Sequence, residues 1–219
     1  MKILLDAGHA LTGAVGAHGN GFKEEVEARV IVSLLDQKLR AMGHKTVLCS
    51  CDNEKDANKQ LQRIVAVANA HKDADLFVSI HFNAFAKESA NGTETYSYSK
   101  SGIGHEYATK INNELVKLGF TNRGKKEAGY YVLRNTSCPA VLVETCFITN
   151  VNDMKKYNPH KVSDAIIKAI TGQTVSVPQP EKIKYSVIAG TYNVKKNAED
   201  MKKALEDKGF EAFIKTVKE

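Results

Sequence analysis

The chain has 219 residues, of which 42% are hydrophobic and 26% charged, the balance of an ordinary globular protein with one sizeable core. Its four cysteines form no Cys-x-x-Cys pair, which argues against a zinc ribbon or a dithiol redox site. The net charge of +6 suits a polyanionic partner without choosing among nucleic acid, lipid headgroups and cell-wall polymers.

The first 171 residues are predicted to alternate between strands and helices. In chain order we predict strand Lys2–Asp6, helix Glu25–Met42, strand Lys45–Cys49, helix Ala57–His71 with Asp56 as its N-cap, strand Leu76–His81, a half-exposed strand Thr93–Tyr98, a helix capped by Ser101 that runs to Leu118, strand Ala140–Thr145 and a last helix that includes Val162–Ile170. Strands separated by helices are typical of an α/β fold with a mostly parallel, twisted sheet and helices on both faces.

The composition changes after residue 171. Residues 172–182 hold two of the four prolines and show no hydrophobic periodicity, which predicts a linker. Residues 183–219 then predict a small βαβ unit, with strands at Tyr185–Ala189 and Glu211–Thr216 around a helix at Lys195–Lys208. A unit of this size buries too little surface to be stable alone, so it has to dock, pair with a copy of itself or complete a larger domain.

Several polar side chains lie where the predicted strands end, the edge at which open α/β sheets place their sites. His9 follows the first strand, His81 ends the third, and Glu144 lies near the end of another. Glu24 and Glu25 begin the first helix, and either could join them. Two histidines and one carboxylate with an open fourth position form a ligand set of catalytic zinc, and a further carboxylate can act as a base.

Each of these residues also has a simpler explanation when it is taken alone. A histidine after a strand is commonly a polar loop residue, and a glutamate that begins a helix favours the helix dipole. Glu144 is harder to explain in this way, because it lies within the apolar run Ala140–Thr145 and an unpaired buried carboxylate is costly. We therefore expect Glu144 to face a cleft, a cation or a metal.

Six short motifs occur in order along the first 171 residues. They are DxGH at Asp6–His9, Glu24 at the start of a helix, SIHxN at Ser79–Asn83, the strand start Gly92-Thr93-Glu94, a turn at Asn122–Lys126 and PAVLVE at Pro139–Glu144. Any one of them is weak, but the ordered set is specific. Together they resemble the zinc-dependent N-acetylmuramoyl-L-alanine amidases of the amidase-3 family, which occur in bacterial autolysins and phage endolysins.

This resemblance implies one Zn²⁺ per chain, held by His9, Glu24 and His81, with Glu144 as the catalytic glutamate. It also implies that a zinc-activated water hydrolyses the amide between N-acetylmuramic acid and L-alanine of the stem peptide, with the glutamate as general base. Glu25, adjacent to the Glu24 position, is the main ambiguity in the ligand set. A non-catalytic peptidoglycan-binding protein is the alternative, although such a protein has no reason to keep the catalytic glutamate.

Two further residues are candidates for holding substrate. Asn83 follows the strand of the second histidine, and Arg134 follows an apolar run. A turn asparagine and a solvated arginine explain the two positions equally well.

The C-terminal unit resembles one repeat of a SPOR domain, a module that binds glycan strands of peptidoglycan. The resemblance rests on Tyr185–Tyr192, Asn197-Ala198-Glu199 and Lys208-Gly209-Phe210. SPOR domains normally contain two βαβ repeats, so the single repeat implies either a truncated product or a homodimer in which two chains supply one repeat each.

The resemblance makes bacterial peptidoglycan the expected partner. Nucleic acid is disfavoured because no recognisable motif or aromatic-basic cluster is present. Membrane insertion is disfavoured because the apolar runs are far shorter than a membrane span. The opening residues Met1–Asp6 do not form a secretory signal, so we expect synthesis in the cytoplasm and action on the wall after release by a holin or by cell lysis.

Overall fold

The computed structural model describes residues 1–87, 89–174, 190–209 and 212–216. The chain divides into two compact units, Met1–Val177 and Pro178–Glu219. Strands of the first unit are β1 (Lys2–Ala7), β2 (His18–Gly19), β3 (Phe22–Lys23), β4 (Lys45–Leu48), β5 (Leu76–Asn83), β6 (Thr93–Ser97), β7 (Asn122–Glu127) and β8 (Ala140–Phe147). Its helices are α1 (Glu24–Ala41), α2 (Ala57–Asn69), α3 (Ile103–Val116), α4 (Tyr131–Asn135), α5 (Val151–Lys156) and α6 (Pro159–Thr171).

The main sheet has six strands in the order β4-β1-β5-β8-β6-β7. All neighbouring pairs are parallel except β6 and β8, which are antiparallel. Strands β2 and β3 form a separate antiparallel hairpin just before α1. The predicted mostly parallel sheet is therefore confirmed, with its direction reversed at β6.

Helices cover both faces of this sheet. Successive side chains along each strand point to opposite faces, so the protein has one core on each side of the sheet. Ile3 and Leu5 point into a core shared with α1, α3 and α6. Leu4, between them, points into a second core shared with α2 and α4. Strands buried on both faces explain why the sequence of the central strands is continuously apolar.

Two helices begin at the capping residues that their sequences indicate. The Asp56 side chain accepts hydrogen bonds from the backbone N–H groups of Asn58 and Lys59, which confirms it as the N-cap of α2. Helix α6 begins at Pro159 after the N-cap Asn158 and ends at Gly172, whose φ of 73° is the left-handed conformation that glycine adopts freely.

Three local predictions are wrong. Strand β6 is buried rather than half-exposed, because it lies between β8 and β7. The N-cap of α3 is Gly102 rather than Ser101. The expected turn at Asn122–Lys126 is the edge strand β7, whose charged side chains suit an edge position.

The second unit contains helix α7 (Lys195–Glu206), which confirms the predicted helix and shortens it by two residues. The predicted strand Tyr185–Ala189 and most of the predicted linker lie outside the described residues. Residues 212–216, the described part of the second predicted strand, belong to no strand. The βαβ unit therefore stays a prediction. Across the described ranges, no helix is both long and apolar enough to cross a membrane.

Candidate metal centre

Three elements bring the predicted metal ligands to one point at the sheet edge. His9 lies in the loop after β1, Glu24 is the first residue of α1, and His81 lies near the end of β5. One side-chain ligand atom from each residue lies within 4.8 Å of the other two. The arrangement confirms that these residues, far apart in the sequence, converge in the fold.

Glycine makes this close approach possible. A Cβ atom on Gly8 would lie 2.2 Å from Cε1 of the His81 ring, and one on Gly16 would lie 2.7 Å from Oε2 of Glu24. His9 itself has a φ of 63°, an uncommon conformation for a residue with a side chain.

The Glu24 carboxylate is fixed by backbone and side-chain contacts. Its Oε1 accepts a hydrogen bond from the Phe82 N–H at 3.0 Å and lies 3.1 Å from His81 Nδ1 and 3.3 Å from His9 Nε2. Its Oε2 accepts from the Ala17 N–H at 2.9 Å. A carboxylate held in this way is oriented before any ligand binds.

Glu25 is also buried, but it faces a different partner. Its Oε1 lies 3.2 Å from His18 Nε2, and its Oε2 accepts a hydrogen bond from the Gly16 N–H at 3.2 Å. The geometry thus places Glu24, rather than its neighbour, with the two converging histidines.

The electrostatics of the cluster match a site built for a cation. Burial raises the pKa of Glu24, but the contacts with His81 and His9 outweigh burial and hold that pKa well below its usual range. Burial lowers the pKa of His81, but the bond to Glu24 and the charge of Glu144 outweigh this effect and raise the pKa to about 9. The negative charge gathered here therefore favours a positive charge beside it.

Glu144 lies in register with the cluster on the neighbouring strand. It is opposite His81 across the parallel β5–β8 pair and opposite Glu94 across the antiparallel β8–β6 pair. Burial raises the pKa of Glu144 to about 7, and the nearby His81 opposes the shift. Its Oε2 is buried and has no hydrogen-bond partner among the described residues.

These observations fit a zinc ion. Two imidazoles and one carboxylate are a ligand set of catalytic zinc sites, which keep a further position for water or substrate. A buried carboxylate oxygen without a partner is costly, so the free Oε2 of Glu144 indicates that a polar group belongs beside it.

A cleft of about 380 Å³ opens beside Glu144, and neither His9 nor His81 belongs to its lining. Its lining comprises Asn83, Phe85, Ala90, Glu94, Tyr96, Arg123, Lys126, Tyr130, Glu144 and Phe147. Among these residues Glu94 is buried and binds several of the others. Oε2 of Glu94 accepts hydrogen bonds from Arg123 Nε at 2.8 Å and from Lys126 Nζ, and Oε1 accepts from Tyr96 Oη at 2.9 Å.

Of the two predicted substrate-binding residues, the structure brings only one to the cleft. Asn83 lines it, with its amide nitrogen donating to Glu94 Oε1 at 2.6 Å. Arg134 lies exposed on α4 and is outside the lining. Glu94, Arg123 and Lys126 were recognised from the sequence only as motif positions. Two cations inside the predicted turn were the available signal, but their shared partner depends on the strand order.

Comparisons with known proteins agree with this geometry. Residues 3–173 match the amidase-3 family model, described as N-acetylmuramoyl-L-alanine amidase. The chain is 38% identical over 177 residues to the amidase LytC of Bacillus subtilis, covering 80% of this chain and 35% of LytC. It is 30% identical over 226 residues to the amidase CwlM of Bacillus licheniformis, covering 98% of this chain and 84% of CwlM.

Among solved structures, the fold is similar to the catalytic domain of the CD27L endolysin targeting Clostridia difficile. That comparison gives a TM-score of 0.72 at 27% identity and covers 80% of this chain and 99% of the endolysin domain. The family match spans more than three quarters of the sequence, with the converging histidines and both glutamates inside it. The chain therefore belongs to the amidase-3 family of N-acetylmuramoyl-L-alanine amidases, a family of peptidoglycan hydrolases.

Proposed function

We propose that this chain is a zinc-dependent hydrolase that cleaves the amide between N-acetylmuramic acid and L-alanine of peptidoglycan. One observation carries the proposal. His9, Glu24 and His81 converge at the sheet edge, and the neighbouring Glu144 keeps a buried oxygen without a hydrogen-bond partner among the described residues. Family membership supplies the substrate class.

The three converging residues would hold the zinc ion. When bound, zinc supplies Lewis acidity to the scissile carbonyl and lowers the pKa of the attacking water from about 15.7 to roughly 7. The chain contributes the preset geometry. Glu24 is held by two backbone N–H groups, and Gly8 leaves room for the His81 ring.

Glu144 is the general base in this proposal. It accepts a proton from the attacking water and passes it to the nitrogen of the leaving L-alanine. A group works best in both directions when its pKa is near the working pH, and burial raises the pKa of Glu144 to about 7. Its position in register with His81 supports this role, because the proton acceptor has to lie beside the residues that would hold the metal.

For the C-terminal unit we propose a role in binding the cell wall, through a homodimer in which each chain supplies one SPOR-like repeat. The match to CwlM covers 98% of this chain, so it continues past residue 173, where the family match ends. Light scattering on the full chain and on a chain without residues 172–219 tests the dimer. We expect a dimer only for the full chain, and a monomer in both cases would contradict it.

Digestion of purified peptidoglycan tests the proposed activity. We expect new alanine amino groups without new reducing sugars, loss of this release with a chelator and recovery on addition of zinc. New reducing sugars would identify a glycosidase and overturn the mechanism. Sedimentation with the wall but no product would identify the chain as a binding protein.

A further inference from the structure

Glu144 has the zinc-ligand cluster on one side and a pair of cations on the other. His81, Glu144 and Glu94 occupy paired positions on β5, β8 and β6, so their side chains form a row on one face of the sheet. The next strand, β7, supplies Arg123 and Lys126, and both reach back to Glu94. The cleft runs along this second half of the row.

The cation pair carries more charge than its partner neutralises. Both Arg123 and Lys126 bond to the same carboxylate oxygen, Oε2 of Glu94. Burial raises the pKa of Glu94, but the hydrogen bonds from Lys126, Arg123 and Tyr96 outweigh burial and keep that pKa below its usual value, so the carboxylate stays ionised. At the β6–β7 end of the cleft, away from Glu144, two positive charges therefore face the single negative charge of Glu94.

Part of each cation is free to bind a ligand. Nη2 of Arg123 has no hydrogen-bond partner in the described part of the chain, and the guanidinium carbon lies 4.8 Å from the centre of the Phe147 ring. Lys126 Nζ lies 5.9 Å from the centre of the Tyr96 ring. The Arg123 and Lys126 side chains remain 35% and 37% exposed, so both can take a further anionic partner.

The reaction geometry gives the direction in which the substrate crosses this surface. The group that protonates the leaving nitrogen must lie next to it, so in the proposed mechanism the leaving peptide begins at Glu144, and a peptide that follows the cleft runs toward β6 and β7. Neighbouring strands are about 4.8 Å apart, and an extended peptide advances about 3.3–3.6 Å per residue. Cations gathered over β6 therefore meet a group one or two residues past the scissile amide.

We propose that Arg123 and Lys126 form a specificity site for a free carboxylate on the stem-peptide residue that follows L-alanine. The guanidinium and ammonium groups bind this carboxylate through charge-assisted hydrogen bonds, and Glu94 holds them in place. The inference rests on the proposed amidase function. It adds that the enzyme selects stem peptides by charge at a defined position on the leaving side.

A pair of synthetic substrates tests the inference. Two N-acetylmuramoyl tripeptides differ only in whether the residue after L-alanine carries a free α-carboxylate or the primary amide of that group. We expect kcat/KM of the full-length zinc-loaded enzyme to favour the carboxylate by roughly 10- to 100-fold, the range of a charge-assisted hydrogen bond. The substrates contain no other wall polymer, so any preference belongs to the peptide.

Single substitutions identify the residues responsible. Arg123→Gln and Lys126→Gln are each expected to reduce the preference for the carboxylate by about tenfold, mainly by raising KM for that substrate. Lys125→Gln is the matched control, because Lys125 is on the same strand but contacts His105 of α3 instead of Glu94. Its preference is expected to equal that of the wild type.

The possible outcomes separate the inference from the function beneath it. Equal cleavage of the two substrates by the wild type, or a preference for the amide, would overturn the specificity site and leave the amidase proposal standing. A preference that survives in both Arg123→Gln and Lys126→Gln would also overturn it. Cleavage of neither substrate would reject the proposed function, and the inference would fall with it.

Discussion

The two halves of the central sheet differ in how their chemistry is assembled. In the half formed by β1, β5 and β8, functional side chains follow parallel strands, so chain direction alone brings His9, His81 and Glu144 to one edge. In the β6–β7 half, Glu94, Arg123 and Lys126 meet only because β6 runs antiparallel beside β8. Parallel topology thus assembles the proposed catalytic centre, and the reversed strands extend the cleft.

The largest effect is expected from removing a proposed metal ligand in the half formed by β1, β5 and β8. His81→Ala is expected to abolish zinc binding and to lower the rate for every substrate by more than about a hundredfold. This loss exceeds the usual effect of removing a residue that only orients a metal ligand. Metal analysis and amine release measure the two effects. His160→Ala is the control, because His160 is an exposed histidine at the start of α6. Full activity in His81→Ala would contradict the ligand assignment.

A smaller effect is expected from a substitution that crowds the proposed metal site. Gly8→Ala places a Cβ atom 2.2 Å from Cε1 of the His81 ring, so the ring has to move. We expect zinc affinity to fall by roughly ten- to a hundredfold, as it does when ligand orientation is disturbed. Competition with a chromogenic chelator measures this affinity. Gly129→Ala is the control, because no atom lies within 4 Å of the added carbon, and equal loss in both variants would contradict the steric account.

The smallest expected effect is on stability in the zinc-free protein. Burial raises the pKa of Glu144 from 4.5 to about 7, so the folded state keeps a proton that the unfolded state releases between these values. The stability that the wild type gains from this protonated carboxyl group is complete below pH 4.5 and is lost as the pH rises through 7. The free energy of unfolding of Glu144→Gln, measured relative to that of the wild type, should therefore increase by roughly 3 kcal/mol between pH 4.5 and 8.

Chemical denaturation with chelator present measures this difference across the pH range. The exposed Glu106 of α3 provides the control variant Glu106→Gln, whose difference from the wild type should change little with pH. A pH-independent difference for Glu144→Gln would show that the buried carboxylate is not the group that titrates.

Local sequence signals were sufficient for most of the fold and for gathering the two histidines and Glu144 at one sheet edge, whereas the ligand roles came from the resemblance to the amidase-3 family. The capping residue Asp56, the apolar runs of β1, β5 and β8 and the helical spacing of α1 each act within one element. These elements bring His9, His81 and Glu144 to one place, because parallel strands share one carboxyl edge. Choosing between Glu24 and Glu25 required the structure, since adjacent residues of a helix point in different directions.

The arrangement of the β6–β7 half of the sheet could not be predicted from local sequence signals. The alternating residues of β6 are compatible with either strand direction, so they do not indicate that β6 lies antiparallel to β8. Strand β7 reads Asn-Arg-Gly-Lys-Lys-Glu, which lacks the β-branched and aromatic residues typical of strands. Its pairing with β6 depends on tertiary contacts, and the roles of Glu94 and Arg123 depend on that pairing.

The most direct test of the central claim compares zinc content and amine release in the wild type and in Glu144→Gln. The claim is that the cluster of His9, Glu24 and His81 binds the metal while Glu144 transfers the proton. The account predicts one zinc ion per chain in both proteins and a rate about 10²- to 10⁴-fold lower in the variant. A variant that keeps its rate, or one that loses its zinc together with its rate, would contradict this division of roles.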